Sequence, residues 1–94
     1  MKKVSTILTR HPQGKQGVRI AKSKYDVIRG FIVLTLKERG PMPFEELTDH
    51  AVRTLSSDFE GSVVWYIVTV KLDLEARKLI IRLPRKSPQW ISLS

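Results

Sequence analysis

Leu74-Glu75-Ala76-Arg77-Lys78-Leu79-Ile80-Ile81-Arg82 is the stretch where one periodicity gives way to another. Before it, Val63, Ile67, Val70 and Leu74 recur at i, i+4, i+7 and i+11, one face of a helix. After it, Leu79-Ile80-Ile81-Arg82-Leu83 is β-rich. The spacing predicts a third helix from about Glu60 to Lys78, and Ser57 with Glu60 matches a capping box at its start. Downstream, Pro84-Arg85-Lys86-Ser87-Pro88 reads as a turn with a proline at each end. Gln89-Trp90-Ile91-Ser92-Leu93 then supplies a second strand, so the chain is expected to finish in a hairpin with a basic tip.

Upstream, two further helices are expected. Tyr25, Ile28, Ile32 and Leu36 form one stripe, with Ser23 and Asp26 at capping-box spacing and Gly40-Pro41 as the stop. Phe44, Leu47, Ala51 and Leu55 form a shorter stripe behind Pro43, whose fixed φ suits a helix start. Glu45 and Glu46 fall in that helix's first turn, where the macrodipole favours acids. Residues 1–22 show no apolar period and carry Pro12, Gly14 and Gly17. They read as an extended basic arm, with a short strand at Val4–Leu8, before a domain spanning residues 23–94.

Helix, link, helix, turn, helix, hairpin is the winged-helix order. The Leu74–Arg82 junction resembles the Leu-Glu-x-x-Gly-Leu-Ile-x-Arg passage joining third helix to wing in many bacterial winged-helix regulators. Lys78 stands where those proteins usually carry glycine. Asp58-Phe59-Glu60-Gly61-Ser62-Val63-Val64-Trp65-Tyr66, followed by Val70-Lys71-Leu72-Asp73-Leu74-Glu75-Ala76, is similar to a group of small, uncharacterised bacterial winged-helix proteins. The expected fold is therefore α+β: a three-helix winged-helix domain with a two-stranded wing and an extended N-terminal arm. The resemblance supports that fold and brings no activity with it.

Composition narrows the function. The chain has 94 residues, no cysteine and a net charge of +8. Without cysteine there is no disulfide framework, thiolate zinc site or thiol nucleophile. No stretch approaches the roughly 18 apolar residues of a membrane span, and a cytoplasmic protein is expected. The charge is uneven. Residues 1–24 hold seven bases and no acid, residues 25–76 five bases and nine acids, and residues 77–94 five bases and no acid. Basic ends attract phosphate backbones. Arg10, Lys15 and Arg19 on the arm, and Arg82, Arg85 and Lys86 on the wing, are the candidate contacts to double-stranded DNA. They would give affinity without sequence choice. Tyr66, Thr69 and Asp73 would be the helix groups nearest the bases.

The third helix itself argues against reading DNA. Advancing 100° per residue puts Trp65, Val68, Leu72 and Ala76 on the side away from its inner stripe. Asp58, Glu60, Asp73 and Glu75 oppose Lys71 and the terminal Arg77 and Lys78. A helix apolar on two sides is usually buried on two sides. The arm's Val4, Ile7 and Leu8, or Trp90 and Ile91, are possible covers; a second copy of the chain is another.

Catalytic patterns are missing. His11 and His50 have no second ligand at metal spacing and read as surface or packing residues. Gly14-Lys15-Gln16-Gly17 lacks the leading glycine and the Ser/Thr of a phosphate loop. Ser56, Ser57, Ser62 and Ser87 have no nucleophile-elbow context. The expectation is a non-enzyme without cofactor or metal. It is either a DNA-binding-like regulator gripping backbone through arm and wing, or a protein-interaction or homodimerisation module that does not read DNA.

Overall fold

A computed structural model describes residues 5–84 and 89–94. The chain is a small α+β domain of three helices and two small antiparallel sheets. Strands β1 (Thr6–Leu8) and β2 (Arg19–Ala21) form the first sheet. Helix α1 (Lys22–Arg39) follows without a break, and strand β3 (Met42–Pro43) leads into helix α2 (Phe44–Leu55). Helix α3 (Val63–Ala76) precedes strands β4 (Ile80–Leu83) and β5 (Trp90–Leu93). The second sheet has the order β3-β5-β4, with Met42 opposite Ile91 and Arg82 opposite Ile91 on the other side.

The predicted inner stripes are the core. Ile28, Ile32, Leu47, Ala51, Ile67, Val70 and Leu74 are sealed from solvent, and Ile91 joins them from the sheet. Each large aliphatic side chain so buried contributes about 1.5–3 kcal/mol.

Both expected capping boxes are displaced. Helix α1 starts at Lys22 rather than behind Ser23, and its cap residue Ala21 offers no side-chain bond. The reason is the arm: the Lys22 amide donates to the Ser5 carbonyl at 2.8 Å, so a strand neighbour satisfies a donor that a cap would otherwise take. Helix α3 starts at Val63, not Glu60, because Gly61 sits at φ +108°, outside helical space. Ser62 caps it, accepting from the Trp65 amide at 3.1 Å.

The arm is a hairpin instead of an extended tail. Thr9 is buried, its amide donates to the Val18 carbonyl at 2.8 Å, and the Val18 amide returns to Thr9 Oγ1 at 3.0 Å. Gly17 is required there, since a Cβ would stand 1.7 Å from the Thr9 carbonyl oxygen. Strand β3 was not expected at all. It pairs because the Phe44 amide donates to the Gln89 carbonyl at 2.8 Å, tying the start of α2 to β5.

At the decisive junction the helix closes in a Schellman motif. The Leu79 amide donates to the Leu74 carbonyl at 2.9 Å and the Lys78 amide to the Glu75 carbonyl at 3.0 Å. Lys78 takes φ +63°, the left-handed position usually given to glycine.

Candidate interaction surfaces on the third helix

The outer side of α3 divides into two halves with different surroundings. On the N-terminal half Val64, Trp65 and Val68 are exposed, at 49%, 46% and 40%. Beside them a groove of about 310 Å³ runs between α2 and α3, lined by Phe44, Glu45, Thr48, Asp49, Val64, Val68 and Gln89. Its body is apolar, and its acids both come from α2.

On the C-terminal half Leu72 and Ala76 are half-buried. Here the arm stands across from the helix. His11, Pro12 and Gln13 line a second groove of about 670 Å³ with Lys71, Leu72, Glu75, Ile80, Ile81, Arg82 and Gln89. The predicted second stripe is thus neither wholly covered nor wholly open. Of the expected covers, Ile7 packs on the core, Ile91 belongs to the core and Leu8 is exposed. Val4 lies outside the described residues.

Asp73 requires a correction. Expected among the helix groups nearest the bases, it is completely buried. Its carboxylate accepts from Tyr25 Oη at 2.5 Å, from the Arg10 amide at 2.8 Å and from Arg77 Nε at 2.8 and 3.0 Å. One carboxylate therefore joins the arm, α1 and the end of α3. Burial, then the hydrogen bond to Asp73, pushes the Tyr25 phenol up to about 12. Arg77's own hydrogen bonds to that carboxylate raise the guanidinium. An acid three residues beyond Val70 and next to Leu74, on the inward side of an apolar helix, is the signal that could have revealed it.

Lys71 is also drawn inside. Its side chain is 8% exposed, its Nζ lies 3.3 Å from Glu75 Oε1, and it sits 5.0 Å from the Phe44 ring centre. That pair lacks hydrogen-bond geometry. Glu75 Oε1 and Gln89 Oε1 are both buried without a hydrogen-bond partner.

The remaining candidates are scattered over the surface. Tyr66 is half-buried between the Phe59 and Trp65 rings, with Lys24 Nζ 5.2 Å from its centre. Thr69 is half-buried. Arg10, Lys15, Arg19 and Arg82 are exposed, and Arg19 donates to Thr6 Oγ1 at 3.2 Å. Arg85 and Lys86 lie outside the described residues. His50 packs on Phe31 with ring centres 5.0 Å apart, and desolvation, then Arg39 and Arg53, lowers its pKa. Among the described residues no three His, Cys, Asp or Glu gather as a metal site, and no helix is long and apolar enough to cross a membrane.

Residues 6–91 match the model of a family described as a family of unknown function (DUF6958). No curated protein and no solved structure matches the chain.

Proposed function

The chain belongs to this family of unknown function, and from its own surfaces we propose that it is a winged-helix protein-interaction module, not an enzyme, whose docking face is the N-terminal half of α3. The helix order and the hairpin after α3 support the winged-helix assignment. The observation that carries the interaction reading is the exposed Val64, Trp65 and Val68 beside an apolar groove with an acidic rim. An exposed contiguous apolar patch rimmed by polar groups marks a binding surface. Major-groove reading needs that same helix face, and phosphates would meet Glu45 and Asp49 beside it.

The rim chooses the partner. In a twofold dimer the patch meets itself, bringing Glu45 and Asp49 against their own copies. A basic segment with apolar anchors instead complements the acids and fills the groove. The test is anisotropy with labelled amphipathic peptides. A Lys/Leu helix should bind, a Glu/Leu helix should not, and Trp65→Glu should abolish binding while the fold persists. Equal binding of both peptides, or none, removes the reading. A concentration-dependent dimer in sedimentation that Trp65→Glu dissolves would replace it with self-association.

A second reading has its own observation. The arm's His11–Gln13 segment shares a groove with Arg82, so basic arm and basic wing strand are neighbours. Together they suit the backbone of double-stranded DNA, bound without base choice. A generic duplex should then bind at low salt, with affinity falling steeply as salt rises. No binding at low salt ends that reading.

A further inference from the structure

The groove between the arm and the C-terminal half of α3 is assembled from the arm, α3, β4 and the residue before β5. Its volume, about 670 Å³, falls in the range of small-ligand pockets, roughly 300–1,000 Å³. Gln89 Oε1 is a buried acceptor that takes no hydrogen bond, and Glu75 Oε1, also buried, is held only by the ion pair with Lys71 Nζ at 3.3 Å. Such groups are rare in native proteins and each asks for a donor. Pro12, Leu72 and Ile81 supply apolar surface, and Arg82 is an exposed cation that makes no ion pair among the described residues.

We propose that this groove binds a small anionic molecule that presents a planar, neutral group with N–H donors, the chemistry shared by guanine nucleotides and ureido acids. Gln89 Oε1, with the Glu75 carboxylate beside Lys71, selects N–H donors. The Glu75 carboxylate is already neutralised by the buried Lys71 ammonium, so that wall offers a cation no net attraction and the donor is neutral. Arg82 takes the anion, and the arm residues close over the body of the ligand. The site shares Gln89 with the α2–α3 groove and is otherwise built from different residues, so Trp65 and Val68 take no part in it.

The test is an amide-proton NMR titration of the full chain with guanosine 5′-monophosphate, N-carbamoyl-leucine and inorganic phosphate, each to millimolar concentration. Saturable shifts clustered at residues 11–13, 71–75 and 80–82 are expected with one or both organic probes, and which one responds identifies the source. Phosphate should bind at least tenfold more weakly. Gln89→Leu and Glu75→Gln should each lower affinity about tenfold, or ~1.4 kcal/mol. Lys37→Ala, an exposed α1 cation outside the groove, should leave affinity unchanged. If Glu75→Gln does not fold, because it breaks the Lys71 pair, Gln89→Leu alone carries the test. The proposal is overturned if neither organic probe saturates, leaving a groove that holds water only. It is equally overturned if phosphate matches them, or if Gln89→Leu binds as well as the wild type. Trp65→Glu should leave these titrations intact, so this site and the docking face fail or survive separately.

Discussion

Replacing Asp73 with alanine should be the most damaging single truncation of a polar side chain in this domain. The carboxylate is fully buried and takes four short hydrogen bonds from three donors. Removing it strands the Tyr25 hydroxyl, the Arg10 amide and a partly buried guanidinium. Breaking a buried ion pair by deleting one partner costs about 3–5 kcal/mol. A domain of this length has a total stability of roughly 5–14 kcal/mol, so at least about a fifth of it is at stake. Tyr25→Phe removes one donor and leaves Asp73 its other partners, so about 1 kcal/mol is expected. Urea unfolding followed by circular dichroism gives both values, and the double mutant closes the cycle. The two changes should be strongly non-additive, because they share one hydrogen bond. In the alanine variant the Arg10 and Thr9 amides should also exchange faster, since the arm loses its tie to α3. A loss below ~1 kcal/mol for Asp73→Ala, or additivity within ~0.5 kcal/mol, would refute the view that this carboxylate organises three elements.

Three further outcomes follow from single residues. Tyr25 has a folded-state pKa of about 12 against an ordinary 10.0, so the stability its neutral phenol contributes is complete below pH 10 and is lost as pH rises through 12. Melting temperature measured through that window should fall more steeply for the wild type than for Tyr25→Phe, and parallel curves would contradict the linkage. Lys78→Gly should stabilise the fold by about 0.5–1 kcal/mol in urea titrations, because glycine occupies φ +63° without the Cβ penalty and loses part of that gain through its freer unfolded chain. Gly17→Ala should open the arm hairpin, since the new methyl cannot coexist with the Thr9 carbonyl. Amide exchange at Thr9 and Ile7 would rise while α2 and α3 keep their protection, and unchanged exchange at Thr9 would count against the hairpin.

The sequence was most legible where apolar spacing alone decides. Val63, Ile67, Val70 and Leu74 are the buried face of α3, and the switch at Leu79 marks the hairpin, because burial of a regular stripe leaves little choice of element. Legibility failed where a distant segment supplies what a local motif would have supplied. Ser23 does not cap α1 because Ser5 reaches the helix start first, through a Lys22–Ser5 pairing seventeen residues apart that no window around Ser23 contains. Strand β3 is two residues long and exists only because β5 lies beside it. The arm carried no period since its order comes from Thr9, Gly17 and one backbone bond to Asp73. On the candidate surfaces, the outward stripe of α3 could be read by counting. That the arm reaches its second half through His11–Gln13, and not through Ile7 or Leu8, could not. The spacing of Lys71 and Glu75 does not show their burial, and only the arm and β4 turn their surroundings into a groove.

The left-handed turn at Lys78 sets the direction in which the final hairpin leaves the helix, and Arg77, one residue before it, is clamped to Asp73. The same carboxylate holds Arg10 near the other end of the chain. The first and last segments of the polypeptide therefore hang from a single point. They are expected to open together, as a foldon made of distant segments rather than of neighbours in sequence. A partner that lifts the arm loosens the root of the hairpin as well, and a ligand that pins either segment quiets both.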